Sequence, residues 1–248
     1  MRVAALYDIH GNAPALEAVL DELARVGVDH VVVGGDVVPG PMPAESLDLL
    51  GGTGIATSYI LGNGEVAGLD ELAGRESRVP PAYRDIMRWS AHALSAAQGT
   101  AIATWPATLT LDLPHLGKVL FCHATPRNET EIVLETTSDA VVERVLAGVS
   151  ASIVVCGHTH MQFDRRIGSR RLVNAGSVGM PFDEPGAYWL LLDHDVELRR
   201  TRYDVQTAAQ AIRASRYPGA AEFADKNVLA PPSRQAMLTA FAAAQVKE

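Results

Sequence analysis

The chain has 248 residues, enough for one large domain or a domain with an appended piece. Hydrophobic residues make up 48% and the formal net charge is −8, which argues for a sizeable core and against disorder or a basic surface for general nucleic-acid binding. The apolar runs are strand-length, short of the roughly 20 residues that a membrane-spanning helix needs. MRVAALYDIH enters a strand with no signal-peptide pattern, so a cytoplasmic protein away from membranes is expected.

Residues 2–7 read as a strand. Asn12 is placed to cap a helix with Pro14 just inside it. Leu16, Val19, Leu20, Leu23 and Val26 share one face of that helix, and Gly27 ends it. Residues 29–34 and 57–61 give two more strands, a βαβ beginning with parallel strands covered by helices. Residues 65–104 are Ala-rich and helical in pattern, broken at Pro80-Pro81, and read as an insertion beside the site. Strands then dominate at 107–112, 118–122, 152–156, 162–167, 170–174, 186–192 and 196–203, with one helix at about 138–147. Arg165, Arg166, Arg170 and Arg171 flank Gly168-Ser169 and read as a solvated hairpin tip. After Asp204 the pattern is helical, cut into about three helices by Pro218 and Pro231-Pro232. The expected division is therefore a main domain over 1–203 and a helical extension over 204–248. The extension would pack on the body or on a second subunit in a homo-oligomer. Cys122 and Cys156 sit in apolar strands without CxxC spacing and read as buried thiols.

Six apolar stretches end in short polar clusters: Asp8-Ile9-His10, Gly35-Asp36, Gly62-Asn63, His123, Gly157-His158-Thr159-His160 and Gly176-Ser177. Loops beyond strand ends of an open α/β sheet gather in one crevice. Asp8 and His10 are i and i+2 at a strand end, so both can reach one ion. Asp36 follows two glycines, and a carboxylate can bridge two cations. Asn63 offers an amide oxygen, and His123, His158 and His160 offer imidazoles. Taken singly, DxH is weak, and GD and GN are common turn dipeptides. Together these residues hold four of the eight histidines. The thiolate-free N/O set suits Mn, Fe, Ni, Zn or Co. Tyr7, as strand neighbour of Asp8, should point the other way, into the core.

The series D-x-H, G-D, G-N, lone His and G-H-T-H, in this order and spacing, resembles the calcineurin-like metallophosphoesterase superfamily. Its small bacterial and archaeal phosphodiesterases of the YfcE type look nearest, over residues 1 to about 203. The resemblance implies a four-layer αββα sandwich of two mixed sheets, with the helical C-terminal tail outside the shared core. It implies two divalent ions: Asp8, His10 and His160 on the first, Asn63, His123 and His158 on the second, and Asp36 between them. A metal-bridging hydroxide would attack phosphorus in line with the leaving group. The substrate would be a small phosphate ester, a nucleotide among the candidates. Two alternatives follow from the same likeness. One is a metal-bound, non-catalytic scaffold, as in a retromer subunit; the other is a phosphomonoesterase or nucleotidase.

The chain departs from the family where most members read GNH(D/E). Here Gly62-Asn63-Gly64-Glu65 puts Gly64 at the place of the leaving-group histidine. General acid catalysis contributes typically ~10²–10⁴-fold, so the loss favours phosphodiesters whose leaving group needs little help. Glu65 and His92 are the weak replacements. A histidine restored at position 64 should help poor leaving groups, provided the position accepts a Cβ. Arg127, in the loop after His123, and Asn12 are the candidate phosphate contacts, with a helix cap as the alternative for Asn12. Asn174 to Gly179 resembles a family loop that supports the metal floor.

Overall fold

A computed structural model describes residues 1–76 and 79–247. The first sheet has the order β10-β9-β1-β2-β3 and the second β4-β5-β6-β8-β7. In the first, β1 (Val3–Leu6), β2 (His30–Val33) and β3 (Ala56–Tyr59) are parallel, with β9 (Ala187–Leu192) and β10 (Val196–Thr201) added antiparallel. In the second, β5 (Gly117–Cys122), β6 (Ile153–Cys156) and β8 (Arg170–Asn174) are parallel. The antiparallel strands β4 (Thr108–Leu113) and β7 (Phe163–Ile167) lie at its edges. Both sheets are therefore mixed.

Strand periodicity decides what each face buries. Val3, Ala5 and Tyr7 turn toward Val119, Phe121, Val155 and Val173 of the second sheet and form the inter-sheet core. Ala4 and Leu6 turn the other way, onto Leu16, Val19 and Leu23 of α1 (Ala13–Val26) and Leu50 of α2 (Pro43–Gly51). Asn12 Oδ1 accepts from the Ala15 amide, capping α1, and Gly27 closes it in a left-handed conformation. On the outer face of the second sheet, Val142 and Val145 of α6 (Asp139–Val145) pack on Val154, Cys156 and Leu172. Helix, sheet, sheet, helix is the four-layer sandwich.

The expected insertion holds α3 (Asn63–Leu72), a 3-10 turn at Pro81–Tyr83, α4 (Arg84–His92) and α5 (Ala96–Ile102); residues 77 and 78 lie outside the described residues. Helix α2 had no counterpart among the expected elements. It begins after Met42, which supplies no side-chain cap, and Pro43 at its first position is a start signal that stood unread among the neighbouring prolines. The C-terminal part forms α7 (Val205–Ala214), α8 (Ala220–Phe223), a π-helical turn (Ala224–Leu229) and α9 (Arg234–Phe241). These pack on the body through Ile86 and Trp89 of α4, Met180, Leu134, Met161 and Phe182. Cys122 and Cys156 are buried free thiols. At the β7–β8 hairpin, Arg171 pairs with Asp164 and Asp195, and Arg165 with Asp139. Among the described residues no helix is long and apolar enough to cross a membrane.

Candidate metal centre

The carboxyl ends of β1, β2, β3, β5 and β6 meet at one edge of the sandwich, and the loops there are tied together through their backbones. The Asp8 amide donates to the Gly35 carbonyl at 3.1 Å and the His10 amide to the Asp36 carbonyl at 2.9 Å. Across the sheets, the Gly157 amide donates to the His123 carbonyl at 2.8 Å, and the His158 amide to Asp8 Oδ2 at 2.8 Å. Asp8, His10, Asp36, His158 and His160 all have positive φ, between 47° and 66°. Non-glycine residues adopt this region rarely and at a cost of about 1–3 kcal/mol each. Five such residues in one place are what a site with fixed side-chain directions requires.

The groups so held form two clusters that could each take a cation: Asp8, His10 and His160, and Asp8, Asp36 and His123. In the first, His10 Nδ1 lies 3.1 Å from the Pro39 carbonyl and His160 Nδ1 lies 2.7 Å from the Met180 carbonyl. A carbonyl only accepts, so both Nδ1 atoms carry a proton, and the two Nε2 atoms face one another at 3.1 Å. Asp8 Oδ1 lies 3.4 Å from His160 Nε2 and is buried without any hydrogen-bond donor.

The other side of the centre repeats the pattern. His123 Nδ1 donates to the Gly34 carbonyl at 2.9 Å, which leaves Nε2 bare and 3.0 Å from Asn63 Oδ1. His158, tied to the Thr130 backbone, brings Nδ1 to 2.8 Å from the same oxygen, and the Glu129 carbonyl lies 3.3 Å from it. Turned over, the Asn63 amide would satisfy these groups itself, its nitrogen donating to both rings and to the Glu129 carbonyl; with its oxygen at that point the site offers acceptors to an ion. A cation satisfies both converging groups, and the donor set of imidazole, carboxylate and amide oxygen suits a transition-metal divalent ion. Asp36 stands between the clusters: Oδ1 is 3.6 Å from His123 Nε2 and Oδ2 is 3.8 Å from His10 Nε2.

The electrostatics follow from burial. It pushes His10 and His158 down to about 3, so both are neutral. It works to raise Asp8, but the imidazoles of His160, His123 and His10 outweigh it and hold this carboxyl below the usual range. Asp36 is raised to about 7 by burial and by Glu65 and Asp8, against the pull of His123.

The remaining expected site residues have other occupations. Glu65 is buried, and its two oxygens accept from the amides of Asp36 (2.7 Å), Val37 (2.7 Å), Val38 (3.1 Å) and Gly62 (2.8 Å). It clasps the Asp36 loop to α3 and has no oxygen left for a leaving group. His92 sits on α4 with 61% of its side chain accessible, beside Glu71. Asn12 is fully buried: Oδ1 caps α1, and Nδ2 donates to the Gly179 carbonyl and Tyr203 Oη. No atom of Asn12 is left for phosphate, so the cap is its role. Arg127 is half-exposed and paired with Glu131. It lines a cavity of about 100 Å³ together with His123, Thr125 and Leu61. A larger groove of about 880 Å³, between α1 and α2, holds acids and aliphatics but no histidine; the chemistry is at the centre and not there. Tyr7 is core, donating to the Val155 carbonyl.

Gly64 is helical, and its amide donates to Asp36 Oδ1 at 2.6 Å. A Cβ there would lie 1.9 Å from the Val38 carbonyl oxygen, so the position does not accept the histidine that the sequence comparison would place on it. The 174–179 loop underpins the centre: Asn174 Nδ2 donates to the Gly157 carbonyl, and Ser177 Oγ to the Asp8 carbonyl. Sequence reasoning missed Met180 and Phe182, which hold the His160 ring by a carbonyl and by a stacked ring. A backbone carbonyl carries no sequence signal, and a lone Phe reads as core.

Comparison with known proteins agrees with this geometry. The chain is 26% identical over 238 residues to the uncharacterized protein MJ0912 of Methanocaldococcus jannaschii, covering 87% of this chain and 93% of the relative. Among solved structures it is similar to hypothetical protein PH1004 of Pyrococcus horikoshii OT3 (TM-score 0.78, 19% identity, 94% of this chain and 99% of that one). It is also similar to a metallophosphoesterase from Sphaerobacter thermophilus (TM-score 0.73, 24% identity, 92% and 99%). The calcineurin-like phosphoesterase superfamily domain matches residues 1–197, and the chain belongs to that superfamily of metal-dependent phosphoesterases.

Proposed function

We propose that the protein hydrolyses small phosphodiesters at a dinuclear centre. Asp8, His10 and His160 would hold one divalent ion, Asn63, His123 and His158 the other, and Asp36 would bridge them. The observation that carries this reading is Asp36 itself, one oxygen facing each group of bare imidazole nitrogens. Bound there, two divalent ions would lower the pKa of a bound water and polarise a phosphoryl oxygen. The chain's own part is to fix six side chains around that bridge and to hold the imidazoles of His10 and His158 neutral by burial. Arg127, half-exposed beside His123, is placed to take a phosphate oxygen in a bidentate contact once Glu131 releases it.

The preference for diesters rests on Gly64. The Val38 carbonyl fills the place where a leaving-group imidazole would start, and Glu65 is fully engaged by amides. A leaving group must therefore depart largely unprotonated by these residues, which penalises poor alkoxides most and favours diesters whose leaving group needs little help. The test is a series of aryl phosphodiesters, with the matching monoesters, assayed on protein loaded with Mn²⁺ and verified by metal analysis. The diester should turn over faster, with a rate that depends steeply on leaving-group pKa. A preference for monoesters across several metals would overturn the diesterase reading. Inactivity of protein shown to hold two ions would transfer weight to a metal-bound scaffold.

A further inference from the structure

We infer that Phe182, backed by the C-terminal helices, is a positioning residue for His160, so that the extension beyond the shared domain acts on one half of the centre. The inference rests on the dinuclear reading above. His160 has φ +60° and is fixed by its Nδ1 contact to the Met180 carbonyl at 2.7 Å. That bond leaves the ring free to swing about the line joining the two atoms. The Phe182 ring removes this freedom, stacked on the imidazole with centroids 4.7 Å apart and 24° between planes. Phe182 is buried and belongs to a small cluster with Leu134 and Met161, closed from outside by Met237, Leu238 and Phe241 of α9. Phe241 lies 6.1 Å from Phe182. The end of the chain is anchored there by Arg234, which donates to the Gln162 carbonyl and faces Glu135, and by the Val246 amide on the Ile132 carbonyl.

The other end of the same extension reaches the His10 side through α4. Its Nδ1 faces the Pro39 carbonyl, and the adjoining Gly40 is held by Ser90 Oγ of α4. Trp89 of α4 meets Tyr217 edge-on, with centroids 5.4 Å apart, and Met180 packs in the same cluster as α7 and α8. The carbonyl that orients His160 thus lies in a loop the extension packs on, and the one that orients His10 lies in a loop held by α4, on which the extension packs in turn. His123 is oriented by Gly34 at the end of β2, inside the shared sheet. Loss of outer support commonly costs ~10–100-fold in metal affinity, and here it should fall on one ion.

The test is a Zn²⁺ titration of the full chain, wild type, Phe182→Ala and Phe241→Ala. The imidazole ¹⁵N resonances of His10 and His160 are followed separately from those of His123 and His158. Wild type should show both pairs responding. In Phe182→Ala the His10 and His160 midpoint should weaken about tenfold, with the His123 and His158 midpoint unchanged. Phe241→Ala, farther from the ring and only partly buried, should shift the same pair by less. Equal weakening of all four, or no change in either variant, would overturn the positioning role. A wild type in which the two pairs do not both respond would instead overturn the dinuclear reading, and the inference with it.

Discussion

Gly64 shows how one residue can be read correctly and understood incompletely. From the sequence it is a missing imidazole, which is true as chemistry. The structure adds that the missing atoms have no room, because the Asp36 loop crosses over α3 with the Val38 carbonyl 1.9 Å from where a Cβ would stand. The glycine is needed for close backbone approach, not for a positive φ, and only the folded neighbour reveals that. Glu65, next in the chain, is the other half of the same joint, receiving the amides of Asp36, Val37, Val38 and Gly62. Burial pushes this carboxyl up, while the four amide donors on its two oxygens favour the ionised form. Gly64→Ala should therefore destabilise the fold by about 1–3 kcal/mol and lower metal content, where an exposed helix Gly→Ala would stabilise. Glu65→Gln, which sets an amide nitrogen against amide donors, should be worse than its size suggests, at about 3 kcal/mol. Chemical denaturation of the metal-free proteins checks both. A neutral or stabilising Gly64→Ala would mean that the Val38 carbonyl moves aside freely, and the vacancy at position 64 would again be a choice of chemistry.

At the scale of elements, the strands and α1 were legible because they repeat: alternate residues along β1 part cleanly between the inter-sheet core and the α1 layer. The ligands were legible because a strand end is the one place where a polar side chain interrupts an apolar run without a structural excuse. Helix α2 was missed, since its capping position is Met42, which supplies no side-chain cap, and the proline that opens it stands among others that read as loop. What the pattern could not carry at all is how the rings are turned, because that is decided by the carbonyls of Gly34, Pro39 and Met180. Burial of the centre has a consequence in pH. The rings of His10 and His158, pushed down to about 3 by burial, are ready to ligate at any ordinary pH. Asp36 is not, because burial raises it to about 7. Metal binding needs the deprotonated carboxylate, so near neutrality the metal-free centre holds a proton there that an ion must expel. Affinity should fall as pH drops below about 7, by up to about tenfold per unit for one competing proton. Calorimetry in buffers of different ionisation enthalpy should register more protons released at pH 6 than at pH 8, from Asp36 and from His123, which burial lowers but Asp36 and Asp8 raise on balance. Proton-neutral binding across that range would mean that Asp36 is already ionised in the free protein.

For the whole molecule, the centre is a place where stability has been given up. Five of the candidate ligands sit in left-handed backbone, the Nε2 atoms of His10 and His160 face each other at 3.1 Å, and Asp8 Oδ1 is buried with no hydrogen-bond partner among the described residues. Asp36 adds a buried carboxyl beside those of Asp8 and Glu65. None of this favours the folded chain without ions; all of it favours a chain that binds them. Ligands that bind only the native state stabilise it by about 2.7 kcal/mol when present at 100 times their Kd. Two ions at that level should add about 5 kcal/mol, which for a chain of this size is roughly 10–20 °C in Tm. The decisive comparison is Asp36→Asn. An amide oxygen can still accept from the Gly64 amide, while the charge shared by both ions disappears. Without metal, the variant should melt no lower than wild type, because a buried charge has gone. With Mn²⁺ or Zn²⁺, wild type should rise and the variant should stay nearly still, so that the order of the two melting temperatures reverses. Scanning calorimetry of both proteins, after chelation and after reloading, reads this directly. If Asp36→Asn lowered Tm equally in both conditions, the carboxylate would be holding the loops together by itself, and the case for an ion on each side of it would fall.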